Sequence, residues 1–90
     1  MSFENLTIGL IGGGNMARAL VRGLLHAGHP AGRIQVADPD PAQLEQVVAL
    51  HASVGIHADN REVARTADVL VLAVKPQVMD QVFEPLARLA

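Results

Sequence analysis

The residues with most chemical potential in this 90-residue chain are small rather than titratable. Gly12, Gly14 and Ala17 stand in the spacing G-x-G-x-x-G/A, within the run Ile11-Gly12-Gly13-Gly14-Asn15-Met16-Ala17. Each has a physical task in a strand-to-helix turn. The first glycine permits a tight exit from the strand. The second lets a pyrophosphate approach the backbone. The third small residue lets the helix pack closely on the strand. A helix starting near Asn15 then directs its free N–H groups and its dipole at phosphate oxygens. Gly13 is expected to add flexibility and to leave the site open. Such turns also occur with no ligand, so the weight comes from context: a strand precedes, a helix follows, and a second strand ends in an acid.

That acid is Asp38, somewhat farther along than the ~20 residues usual for the ribose-binding carboxylate. A carboxylate there accepts hydrogen bonds from the adenosine ribose and repels a 2′-phosphate. No arginine follows within Pro39-Asp40-Pro41 to hold such a phosphate. On charge alone Asp38 favours NADH over NADPH. The competing reading is that Asp38 only caps the turn into Pro39.

Positioning these residues requires alternating strands and helices. Leu6–Ile11 is a short apolar run ending in glycines, read as a buried strand. Met16, Leu20, Gly23, Leu24 and Ala27 then recur at helical spacing, with Arg18 and Arg22 on another face. Gly28 can end this helix in the left-handed conformation, and Pro30 prevents its continuation. Arg33–Asp38 is a second strand. Asp40 can cap a second helix, with Pro41 at its first position, Gln43 closing a capping box, and Leu44, Val47 and Val48 on its inner stripe. A weak third strand is expected over Ser53–Ile56, then a short helix capped by Asn60 and running through Val63 to about Thr66. Val69–Val74, apolar on both faces, reads as a central strand. A last helix from about Gln77 carries Val78, Val82, Phe83, Leu86 and Leu89, with Pro85 kinking it or starting a new turn.

Four strand–helix units with right-handed crossovers predict a twisted parallel sheet of the doubly wound α/β type, in spatial order 3-2-1-4. A complete two-lobed dinucleotide fold has two more strands. Order 3-2-1-4 also leaves the fourth strand at an edge, which is a liability. The expectation is therefore a single domain over residues 1–90 that is incomplete and belongs to a longer polypeptide, or an edge covered by a partner chain.

Composition narrows the partners. The net charge of −2 offers no basic stripe for phosphates of nucleic acid, and Phe3 and Phe83 are the only aromatics to stack on bases. The chain has no cysteine, hence no disulfide, thiol nucleophile or thiolate metal site. His26, His29, His51 and His57 lack metal-ligand spacing and are expected as surface or loop residues. Asp59, Glu62, Asp68 and Asp80 read as helix-start or solvated charges, and no Ser-His-Asp arrangement is legible. No apolar stretch is long enough to cross a bilayer, and no basic start precedes a signal-like run, so a cytoplasmic location is expected.

Two segments resemble one family. Ile8-Gly9-Leu10-Ile11-Gly12-Gly13-Gly14-Asn15-Met16-Ala17 is similar to the amino-terminal signature of pyrroline-5-carboxylate reductases. Asp68-Val69-Leu70-Val71-Leu72-Ala73-Val74-Lys75-Pro76-Gln77 is similar to their second hallmark, a strand ending in Ala-Val-Lys-Pro. The match in order and spacing extends over essentially the whole chain. The resemblance implies reduction of the C=N bond of 1-pyrroline-5-carboxylate to L-proline with NADPH or NADH. It implies that Ile11 to Met16 wrap the pyrophosphate, that Asn60 contacts the adenosine end, and that Ala73, Val74, Lys75 and Pro76 line the nicotinamide side. It further implies a Rossmann-type domain followed by a helical domain, absent from these residues, that forms a homo-oligomer and holds most of the imine substrate's site.

One departure matters. Many relatives carry Ser, Thr or Asn-Arg where this chain has Asp38, so the family leans to NADPH while this residue leans to NADH. Catalytic residues stay unassigned. Lys75 is expected to position the cofactor ribose or nearby backbone rather than to donate a proton, against the alternative of a solvated strand-end charge. Two other functions fit the same turn: a related β-hydroxyacid-type dehydrogenase, and a non-catalytic module that senses NAD(P).

Overall fold

The glycine run is entered from β1 (Ile8–Ile11), whose four residues are all buried. In the computed structural model, which describes residues 3–88, β1 lies between β2 (Ile34–Ala37) and β4 (Val69–Leu72). β3 (Gly55–His57) lies beyond β2. All pairings are parallel and the order is β3-β2-β1-β4, as the alternation of elements predicts. Ile8 sits opposite Ile34 and Val69, and Ile11 opposite Ala37 and Leu72. The carboxyl ends of three strands are therefore level, and the turn after β1 emerges between the other two.

Alternation along β1 separates two cores, because successive side chains of a strand point to opposite faces. Ile8 and Leu10 pack with Ala17 and Val21 of α1 (Asn15–His26) and Val47 of α2 (Pro41–Val48). Ile11 packs with Val63 of α3 (Asn60–Thr66) and Leu86 of α4 (Met79–Ala87). The sheet thus has helices on both faces. Each fully buried side chain here, such as Leu10 or Ile11, contributes about 1.5–3 kcal/mol over its exposed state. Gly9 makes room on the second face: a Cβ there would lie 2.6 Å from Val63 Cγ1 and 2.7 Å from Ala67 Cβ.

Several expectations need correction. The buried face of α1 is Ala17 and Val21, with Leu24 and Leu25 half-buried, rather than the stripe through Met16 and Leu20. Met16 is 56% and Leu20 42% exposed. Ala17, fully buried against the sheet, sets the phase of the helix, and Met16 stands about 100° around from it. β4 is an edge strand among the described residues, not a central one, and Val69 and Leu70 are exposed. Its unbroken apolar run indicates burial on two faces but carries nothing that fixes its lateral neighbours. The strands are also shorter than expected. β1 starts at Ile8 because Leu6 N–H turns back to the Phe3 carbonyl at 3.0 Å.

The helix ends follow local chemistry. Gly28 has φ +93°, with its N–H on the Leu25 carbonyl and that of His29 on the Leu24 carbonyl, a Schellman closure of α1. Asp40 caps α2 as predicted, Oδ1 accepting from Ala42 N–H at 3.0 Å. Gln43 does not close the box. The Asp40 N–H donates instead to Asp38 Oδ1 at 2.8 Å, and Val48 turns outward. Asp59 rather than Asn60 caps α3, accepting from Arg61 N–H at 2.9 Å. α4 follows a single 3-10 turn, Pro76–Val78, and contains Pro85; Phe83 is exposed, and Leu89 lies outside the described residues.

Three polar side chains also depart from a purely solvated role: His57 ends β3 half-buried, with Nδ1 2.9 Å from Glu62 Oε2 and Nε2 2.7 Å from Gln35 Oε1. His29 is buried, with Nε2 3.0 Å from the Leu6 carbonyl and its ring edge-on to Phe3. Asp68 Oδ2 accepts the Thr7 N–H at 2.7 Å and so ties the start of β4 to that of β1. Among the described residues, no helix is long and apolar enough to cross a membrane, and no cluster of three or more His, Asp or Glu could hold a metal ion.

Candidate dinucleotide site

Gly12 is the pivot of the turn. Its φ is +107°, which L side chains rarely adopt, and a Cβ would stand 2.5 Å from the Ala73 carbonyl oxygen. Its N–H donates to the Ala37 carbonyl at 2.7 Å, while Ala73 N–H donates to the Ile11 carbonyl at 2.8 Å. The turn is therefore wedged between the ends of β2 and β4. Two runs far apart in sequence, Ile11–Ala17 and Ala73–Pro76, meet there.

Gly13 and Gly14 divide the work differently from the expectation. Gly13 does not open the site. Its Cβ position faces the side chains of Asp38 and Gln43 at 3.4 and 3.5 Å, and its N–H is held by Asp38 Oδ2 at 2.8 Å. Gly14 is the open position, since a Cβ there would meet nothing within 4 Å. It is also the N-cap of α1 and provides no side-chain cap. The first bond of the helix runs from Arg18 N–H to the Gly14 carbonyl at 2.9 Å. The N–H groups of Asn15, Met16 and Ala17 precede that bond and find no acceptor within the helix. α2 and α3, by contrast, are each closed by an aspartate.

Beside the turn is an open crevice of ≈ 340 Å³, bordered by Ile11, Gly12, Asp38, Pro39, Asn60 and Val74, with Val78, Gln81 and Val82 opposite. A second hollow of ≈ 480 Å³ shares Pro39, Asn60, Gln81 and Val82 and adds Asp59 and Arg61. Of the residues singled out in the sequence, Ile11, Gly12, Asp38, Asn60 and Val74 border the crevice. Asn15 and Met16 are the exposed start of α1, and Ala17 and Ala73 lie buried beneath it. Lys75 and Pro76 are exposed past the end of β4 and do not line the crevice. Uncapped amides, an unobstructed glycine and mostly apolar walls suit a dinucleotide's pyrophosphate and adenosine.

Charges frame the crevice. Both Asp38 oxygens already accept one backbone N–H, from Gly13 and from Asp40. A carboxylate has about four lone-pair sites, so capacity remains for ribose hydroxyls. Arg18 is the residue that sequence reasoning placed merely on another helix face. Its Nη1 donates to the Gly13 carbonyl at 2.8 Å and to Gln43 Oε1 at 2.5 Å, and its Nη2 to Asn15 Oδ1 at 2.5 Å. Its position one turn into the helix after the glycines was the available signal. At the rim of the second hollow, Arg61 holds the Asp59 carboxyl below the usual range, first through its side-chain hydrogen bond and then through its backbone N–H.

A parallel sheet with helices on both faces, a glycine turn at the strands' carboxyl ends and a crevice beside it define a Rossmann-type dinucleotide-binding domain. Residues 7–90 match one family throughout, and the chain belongs to it: the family described as NADP oxidoreductase, coenzyme F420-dependent. The chain is 43% identical over 86 residues to the pyrroline-5-carboxylate reductase of Vibrio alginolyticus, covering 92% of this chain and 30% of that protein. It superposes on the structure of a pyrroline-5-carboxylate reductase from Coxiella burnetii with TM-score 0.86 and 40% identity, over 93% of this chain and 31% of that one. The Plasmodium falciparum pyrroline carboxylate reductase, a crystal structure with NADP bound, gives TM-score 0.75 and 26% identity over 94% and 31% of the two chains. The chain thus spans about a third of the length of these relatives.

Proposed function

We propose that this chain supplies the cofactor-binding part of a pyrroline-5-carboxylate reductase, which reduces the C=N bond of 1-pyrroline-5-carboxylate to give L-proline. One observation carries the reading. Gly12 packs against the Ala73 carbonyl, so the glycine turn that leads into the uncapped α1 and Val74, just past β4, border one crevice. Relatives that match over more than nine-tenths of this chain are named pyrroline-5-carboxylate reductase.

In this reading the bound nicotinamide supplies the hydride. The chain's own residues bind and orient. The amides of Gly14, Asn15 and Met16 take the pyrophosphate, as an uncapped helix start does. Ile11, Gly12, Gly13 and Ala17 give the turn its shape. Asp38 and Asn60 hold the adenosine end, and Ala73, Val74, Lys75 and Pro76 edge the nicotinamide side. Asp38 favours NADH, because its carboxylate accepts from a ribose 2′-hydroxyl and repels a 2′-phosphate. The imine substrate is held mainly by residues outside this chain, in a homo-oligomeric, cytoplasmic enzyme.

The test is calorimetric titration of the full-length protein with NADH and NADPH, coupled to cofactor oxidation assayed with and without pyrroline-5-carboxylate. Binding of a dinucleotide and oxidation only in the presence of the imine are expected. Binding without turnover would reassign the chain to nucleotide sensing. Turnover of a β-hydroxyacid instead would place it among the related dehydrogenases. Failure to bind either dinucleotide would remove the site.

A further inference from the structure

Among the described residues, Arg18 makes no ion pair. Its three hydrogen bonds go to neutral acceptors: the Gly13 carbonyl, Gln43 Oε1 and Asn15 Oδ1. The ion pairs among those residues are His57–Glu62, Arg61–Asp59 and Arg88–Glu84, and Arg18 belongs to none. A guanidinium has five N–H donors in a planar fork that matches phosphate oxygens. Three are used here, which leaves two.

Its location gives that charge a meaning. The Gly13 N–H is held by Asp38, and the Gly13 carbonyl by Arg18. One glycine thus sets a carboxylate and a guanidinium on either side of its backbone. Gln43 holds the guanidinium beside the first turn of α2, next to the Asp38-Pro39-Asp40 loop, while Asn15 ties it to the start of α1.

We propose that Arg18 is the residue that admits a 2′-phosphorylated dinucleotide, its guanidinium supplying beside Asp38 the positive charge that a ribose 2′-phosphate needs. The proposal rests on the dinucleotide reading of the crevice and deepens it. Asp38 and Arg18 act as opposed determinants: the first accepts from the 2′-hydroxyl of NADH, and the second donates to the 2′-phosphate of NADPH. Together they make the site accept both cofactors.

The experiment measures dissociation constants for NADPH and NADH on the full-length protein and on its Arg18→Met and Arg18→Lys variants. The readout is their ratio, which a general loosening of the turn would leave alone. For Arg18→Met the ratio is expected to move about tenfold against NADPH, a change worth ~1.4 kcal/mol, and Arg18→Lys is expected to restore most of it. A ratio unchanged in Arg18→Met, whatever happens to the two affinities, overturns the proposal and leaves Arg18 a brace for Gly13. Should Arg18→Met fail to fold, competition on the unmodified protein decides. Adenosine 2′,5′-bisphosphate should displace NADH better than 5′-AMP, and equal or weaker displacement overturns the proposal. If the unmodified protein binds neither dinucleotide, the reading of the crevice falls and takes the proposal with it.

Discussion

The Gly13 amide nitrogen lies 2.8 Å from Oδ2 of Asp38, so the residue that follows β2 also holds the middle of the glycine turn. A hydrogen bond to a carboxylate is stronger than one between neutral groups. It couples the glycine turn after β1 to the acid after β2. Asp38 Oδ1 continues the connection to the Asp40 N–H, where α2 begins.

Replacing that acid by its amide separates structure from selectivity. In Asp38→Asn one end of the side chain becomes an NH2 group, which faces either the Gly13 or the Asp40 N–H, donor against donor. Leaving one such group unsatisfied is expected to cost about 1–3 kcal/mol, read as a lower urea midpoint. Loss of the negative charge is expected to shift the NADPH-to-NADH ratio of dissociation constants about tenfold toward NADPH. A preference left unmoved would show that Asp38 serves the turn alone.

Gly12→Ala tests the wedge between β2 and β4. At φ +107° a non-glycine residue bears strain of about 1–3 kcal/mol, and the new methyl also meets the Ala73 carbonyl at 2.5 Å. Stability and dinucleotide affinity should fall together, because the turn can relax only by pulling away from the end of β4. Thermal melting and calorimetry on the same preparation check this. A Gly12→Ala variant that melts like the parent would contradict the geometry.

Much of this arrangement was legible in the sequence, for reasons of range. The glycine turn, the Asp40 cap and the left-handed Gly28 follow from residues within a few positions of one another, and the order of the sheet from the alternation of strands and helices. The resemblance carried by Ala73-Val74-Lys75-Pro76 pointed to a second segment, of which Val74 borders the crevice and Lys75 and Pro76 do not. What escaped depends on contacts made across the fold. Arg18 reaches Gln43 on the next helix, and only the packing of Ala17 on the sheet fixes where it points. The burial of His29 needs Leu6 and Phe3, contributed from the start of the chain. Gly13 and Gly14 are the same residue type in adjacent positions, and only the placement of Asp38 tells which of them faces the ligand side.

Acid should weaken the cap of α3. Arg61, through its side chain and its backbone N–H, holds the Asp59 carboxyl below its ordinary value of 3.8, so the folded state binds its proton less readily than the unfolded chain. Its contribution is complete above the unfolded value and is lost as pH falls through the lowered folded one. The pair is solvent-exposed, so the effect is small and salt-sensitive. Chemical denaturation between about pH 5 and pH 2 should show a steeper loss in the parent than in Asp59→Asn. Parallel curves would mean that the Asp59 charge contributes nothing.

Gly14→Ala provides the sharpest separation of binding from folding. The residue has φ −77° and ψ −164°, a region open to alanine, and its Cβ would meet nothing within 4 Å. Alanine is a poorer N-cap than glycine, but it restricts the unfolded chain more, and these effects oppose each other within about 1 kcal/mol. The melting temperature should therefore move little. The methyl nevertheless occupies the space through which a pyrophosphate would reach the α1 amides, so affinity for both dinucleotides should drop about tenfold or more. Gly12→Ala loses fold and binding together, whereas Gly14→Ala should lose binding alone. Parental affinity in the Gly14→Ala protein would show that the phosphates do not approach the chain at this position.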